Sequence, residues 1–140
     1  MKKHILSIVN KMHRFVTHNG IQYRASETAP GTWTGLRQSD PYNLVVWSGA
    51  SDQTIWVKPE YNWLFRAVHD FVHIVYNLDF SDESEREVRR ITAELLRLSA
   101  SEEAILKAEI DGQIDYKNEH GHFPVDQLEH AMDYLNKTGS

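Results

Sequence analysis

Between Tyr61 and Leu78 the chain carries Trp63, Leu64, Phe65, Val68, Phe71, Val72 and Val75, apolar residues spread nearly all round a helix. A helix with so little polar surface cannot lie on the outside, so this segment predicts a buried element about which the rest packs. Within it stand His69, Asp70 and His73. Unpaired polar groups cost free energy in a core, so the three together call for partners. His69 and His73 are four residues apart, hence on one face and one turn apart, where both imidazoles can reach a single metal ion.

The segments around this helix read as an α+β domain spanning residues 1–140. Ile5, Ile8, Val9, Met12, Phe15 and Val16 recur at helical spacing, and Asn19-Gly20 supplies a stop. Lys2, Lys3, Lys11 and Arg14 give this N-terminal helix a basic, solvated face. From Ile21 to Pro59 the pattern changes to alternation and turns. Ile21 to Ala25, a stretch flanked by Trp33 and Leu36, Asn43 to Trp47, and Thr54 to Lys58 predict a small antiparallel sheet of about three strands. Beyond the buried helix, Asp82 offers an N-cap with Glu85 three residues on, ahead of Val88, Ile91, Leu95 and Leu98. A shorter helix is expected over Glu102 to Ile110, ending at Asp111-Gly112. Pro124 opens a last helix carrying Val125, Leu128, Met132 and Leu135.

Composition narrows the function classes. Twenty acidic residues against fifteen basic give a net charge of -5, which argues against a nucleic-acid partner. With no cysteine, disulfides are excluded and any metal must be held by His, Asp or Glu. Asn10, Lys11, His13 and Arg14 interrupt the apolar stretch after Met1-Lys2-Lys3, so no export signal is read there. No segment approaches the length of a membrane span. A soluble protein of the cytoplasm is the expectation.

Zinc gives the histidines a reason. His69, His73 and one carboxylate would leave a fourth position for water, whose pKa would fall to about 7. At 100° per residue the apolar stripe of the following helix centres near Val88 and Leu95. Glu85 then lies on one flank and Glu87 on the other, with Glu85 better placed. As the third residue of a capped helix, Glu85 also has the capping box as a rival role. The plain structural alternatives are histidines satisfied by backbone or Tyr76, and an Asp70 that pairs with Arg66 one turn earlier.

A wider pattern surrounds the pair. Thr54-Ile55-Trp56-Val57-Lys58-Pro59 leads into the histidine helix, and the next helix reads Glu85-x-x-Val88-x-x-Ile91-Thr92-x-x-Leu95-Leu96. With His69-Asp70-x-x-His73, this resembles the H-E-x-x-H core of ImmA/IrrE-type zinc peptidases, the minigluzincin-like branch, over residues 54–98. The resemblance implies zinc on His69, His73 and Glu85, with Asp70 at the general-base position. It also implies a protein or peptide substrate, taken up by strand addition along an edge at Thr54 to Lys58. Asp70 is the departure that matters most. Its carboxylate ends about 1.5 Å short of a glutamate's, and a misplacement of ~1 Å can cost on the order of a hundredfold.

The rival class is an interaction or accessory protein, of the kind phage encode, on a peptidase-like scaffold that has lost catalysis. Trp33, Trp47, Trp56 and Trp63 are many for this length and could line a cleft or partner surface. His69-Asp70-x-x-His73 also resembles a segment of HD-type phosphohydrolases, which need an earlier histidine, and His18 lies beyond the predicted strands. His120-Gly121-His122 with His130 is a second possible metal site, although Gly121 makes a poor ligand frame. No Ser-His-Asp arrangement or phosphate-binding glycine loop is present.

Overall fold

The computed structural model describes residues 2–51, 54–121 and 127–137. In chain order these form α1 (Lys2–His18), β1 (Gln22–Ser26), α2 (Trp33–Leu36), β2 (Asn43–Trp47), α3 (Pro59–Val75), α4 (Asp82–Leu96), α5 (Ala100–His120) and α6 (Gln127–Lys137). Helix and strand are mixed as expected, with helix dominant. Among the described residues no helix is long and apolar enough to cross a membrane.

The sheet differs from the antiparallel expectation. Among the described residues it has two strands, and they run parallel, Gln22 opposite Asn43 through Ser26 opposite Trp47. Parallel strands need a crossover of a dozen residues or more, usually helical. The stretch expected to hold a strand at Trp33 to Leu36 supplies that crossover. Thr32 caps it, its hydroxyl accepting from the Gly35 amide at 3.2 Å, and a short helix forms instead. Within β2, Leu44 and Val46 face the core while Asn43 and Trp47 are exposed.

Thr54 to Lys58 is likewise not a strand. Thr54, Ile55 and Trp56 are all buried, which a pleated strand with alternating faces cannot achieve. The chain turns here, the Thr54 carbonyl accepting from the Val57 amide at 3.1 Å. Val57 takes a positive φ of 73°, costly for a β-branched residue. Without a strand at this place, the expected edge for peptide addition does not exist.

The helices follow their periodicity, with ends that differ in instructive ways. Helix α3 starts two residues early because Pro59 suits the first helical position. It buries Leu64, Phe65, Ala67, Val68, Phe71, Val72 and His73. Helix α4 is capped by Ser81 rather than Asp82, the Ser81 hydroxyl accepting from the Ser84 amide. Helix α5 runs through Asp111-Gly112 to His120, where Gly121 caps it at a φ of 82°. Gly112 is a packing residue. A Cβ there would meet the Tyr134 ring of α6 at 3.1 Å. Pro124 and Val125 lie outside the described residues.

Helices α1, α3, α4 and α5 share one core with the inner face of the sheet. Ion pairs set the register of α5. Arg89 reaches Asp111 at 3.4 Å and Arg86 reaches Asp115 at 2.7 Å. At the other end of α5, Lys11 of α1 meets Glu102 at 2.5 Å.

Candidate metal centre

The site begins with how α3 ends. Asn77 adopts a left-handed φ of 53°, a conformation asparagine tolerates, and turns the chain back on the helix. The Leu78 amide donates to the His73 carbonyl at 3.0 Å, and the Asn77 amide to Ile74 at 3.3 Å. This turn returns the Leu78 carbonyl to the His73 ring, where Nδ1 lies 2.7 Å from it. A carbonyl can only accept, so Nδ1 carries a proton. His73 is fully buried and presents Nε2 to the interior of the site.

Three donor atoms converge there. His73 Nε2 lies 2.6 Å from Glu85 Oε1, His69 Nε2 lies 3.0 Å from the same oxygen, and the two imidazole nitrogens are 3.1 Å apart. Among the described residues, these three form the group able to hold a metal ion, their ligand atoms all within 4.8 Å of one another. The cap at Ser81 explains why Glu85 is available. It stands one residue beyond the capping-box position, and its side chain turns to the histidines. Glu87, on the other flank, is only partly exposed and pairs with Arg90.

Electrostatics are tight. Burial pushes the Glu85 carboxyl up, but the charge of His69 and the closeness of both imidazoles outweigh it and hold it well below the carboxylate range. Burial works against charge on His69, yet Glu85, then Asp70 and Glu109, raise its pKa. Aromatic rings wall the imidazoles. Phe80 packs edge-on to His73 at 5.1 Å, Trp33 of α2 lies 6.2 Å from it, and Phe65 lies 5.5 Å from His69.

Asp70 sits beside this cluster, outside the three converging donors. Burial raises its pKa to about 6 against the pull of His69 and His73. The expected helical ion pair with Arg66 gives way to another use of that guanidinium. Arg66 donates to the carbonyls of Trp47 and Gly49, tying the exit of β2 to α3, with its charge over the Trp47 ring.

One acidic residue escaped the sequence reading. Glu109 of α5 is buried and lines a cavity of about 170 Å³ together with His69, Glu85, Phe65 and Phe80. Burial pushes its pKa up to about 8 despite Gln113, Arg66 and His69. Its Oε2 has no hydrogen-bond partner, nor has Nδ1 of His69. Leaving such buried groups unpaired typically costs about 1–3 kcal/mol each. The signal was readable in principle, a glutamate set among Ile105, Leu106, Ala108 and Ile110. The helix was expected to end just beyond it, which hid how deeply this face is buried.

The other candidates are not brought to this centre. His18 is exposed at the end of α1. His120 stacks on Tyr116 at 4.0 Å, while His130 meets the edge of that ring and the Gly112 carbonyl at 2.8 Å. His122 lies outside the described residues. Set against known protein families, curated proteins and solved structures, the chain matches none of them.

Proposed function

We propose that this protein binds zinc at His69, His73 and Glu85 and is a metallopeptidase-like hydrolase. One observation supports the reading above all. With its proton on Nδ1, His73 turns a lone pair toward a carboxylate oxygen 2.6 Å away. Lone pairs at that range repel unless positive charge lies between them. A proton relieves one such contact, whereas a cation serves all three donors at once.

The donor set fits. Two imidazoles and a carboxylate in a chain without cysteine suit zinc, and three protein ligands leave the open position typical of catalytic sites. Tetrahedral bonds of the usual length set donors about 3.3 Å apart. The separations of 2.6, 3.0 and 3.1 Å are shorter than that, so the three side chains would part by less than 1 Å to take the ion. A divalent ion held there supplies Lewis acidity toward a carbonyl oxygen and lowers the pKa of water to about 7. The chain does the rest. The Leu78 carbonyl keeps the His73 ring oriented, as partners of metal-binding histidines commonly do. Phe65, Phe80 and Trp33 pack against the imidazole rings and help hold their planes. Asp70, next to His69 on α3, is the group to accept a proton from the nucleophile.

A second reading has its own support. Asp70 is shorter than a glutamate, and the turn at Thr54 to Lys58 removes the edge strand expected just ahead of the histidine helix. Both favour an interaction protein that holds a metal without turnover. Elemental analysis of protein purified without added metal tests what the two readings share. About one zinc per chain is expected, and none for His73→Ala. Equal content in the two proteins removes the site. Iron in place of zinc keeps the site and changes its chemistry, because the same donor set serves iron enzymes.

A further inference from the structure

We infer that Glu109 supplies the positioning carboxyl group of this centre, accepting the Nδ1–H of His69 through one water in the cavity they share. The inference rests on the metal reading above and goes beyond it by giving α5 a part in the site. Among the described residues only three buried side-chain polar atoms lack a partner: Trp56 Nε1, His69 Nδ1 and Glu109 Oε2. Two of the three belong to residues that line one cavity of about 170 Å³. One is a ring nitrogen that can donate and the other a carboxyl oxygen that can accept.

The tautomer makes them complementary. His69 turns Nε2 to Glu85 and His73, so a metal bound at Nε2 requires the ring proton on Nδ1. Metal-bound histidines nearly always donate that second N–H to a carbonyl, carboxylate or water. For His73 the acceptor is the Leu78 carbonyl at 2.7 Å. For His69 the acceptor is missing from α3 and α4, and α5 supplies a carboxyl with a free oxygen. Arg66, whose charge also reaches Glu109, is occupied by the carbonyls of Trp47 and Gly49. Gln113, one turn further along α5, lines the same cavity. A cavity of this size has room for a bridging water.

The test uses the full chain as wild type, Glu109→Leu and Glu109→Gln. Leucine keeps the volume and removes the acceptor, whereas glutamine keeps an acceptor oxygen. Zinc affinity is read by chelator competition, histidine orientation by the visible spectrum of the cobalt(II) form, and stability by thermal unfolding of the metal-free protein. Glu109→Leu is expected to bind zinc about 10–100-fold more weakly with an altered cobalt spectrum. Glu109→Gln should recover most of the affinity and the spectrum. Metal-free Glu109→Leu should unfold at the same temperature as wild type or higher, because it has lost a buried, half-paired carboxyl. Wild-type affinity in Glu109→Leu overturns the assignment and leaves the centre standing. Affinity lost in step with metal-free stability overturns it too, marking Glu109 as a packing residue. A wild-type chain that takes up no zinc overturns both the assignment and the metal reading.

Discussion

A single methylene decides what Asp70 can do. Hydrogen-bond reach for proton transfer spans about 2.6–3.2 Å, a narrower window than the reach lost between glutamate and aspartate. Asp70→Glu is therefore expected to raise peptide hydrolysis by roughly tenfold to a hundredfold, measured as turnover of a fluorogenic peptide library. No turnover in either form assigns the protein to the non-catalytic reading. The residues of this site differ in how far local pattern reaches them. His69 and His73 follow from spacing on one helix, and Glu85 from the flank it occupies on the next. The Leu78 carbonyl at the His73 ring depends on a left-handed Asn77, and the loss of the Arg66–Asp70 pair depends on where β2 ends. Neither is written in helical periodicity.

Elements are held together here by ends rather than by middles. Helix α5 begins with Ser99 and Glu102 capping each other, and the same Glu102 carboxylate takes Lys11 from α1. Burial pushes its pKa up, but the bonds from Lys11, Ser7 and Ser99 prevail and lower it from its ordinary 4.5 to about 2. A carboxylate whose pKa falls on folding stabilises the fold above its unfolded value, and that stability drains away as pH drops through 4.5 toward 2. Glu102→Gln should cost about 1–3 kcal/mol at neutral pH. It should also flatten acid unfolding across that window, as read by circular dichroism from pH 7 to 2. At this scale the helical periodicities of α1, α3 and α4 were legible, while boundaries were not. Gly112 looked like a stop and is a contact, because the Tyr134 ring that needs its missing Cβ comes from another helix.

For the molecule as a whole, the His69–His73–Glu85 cluster joins α3 to α4, and on the proposed reading a metal held there would draw in α5 through Glu109. A ligand that binds the folded state alone stabilises it by mass action, about 2.7 kcal/mol at a hundred times its dissociation constant. For a chain of this length that corresponds to a rise in melting temperature of roughly 8 °C. Calorimetry with zinc and then with excess chelator should show the rise and its reversal. His73→Ala should show neither. What the amino-acid order determined by itself was the set of amphipathic and buried helices, the facing of the two imidazoles and the side on which Glu85 stands. Each depends on neighbours within about two turns, where backbone geometry is repetitive. Tertiary structure alone decided the parallel pairing of β1 with β2, the turn at Thr54 to Lys58 and the approach of Glu109 to His69. Those outcomes are set by contacts between residues distant in the chain, where packing and polar satisfaction override local preference.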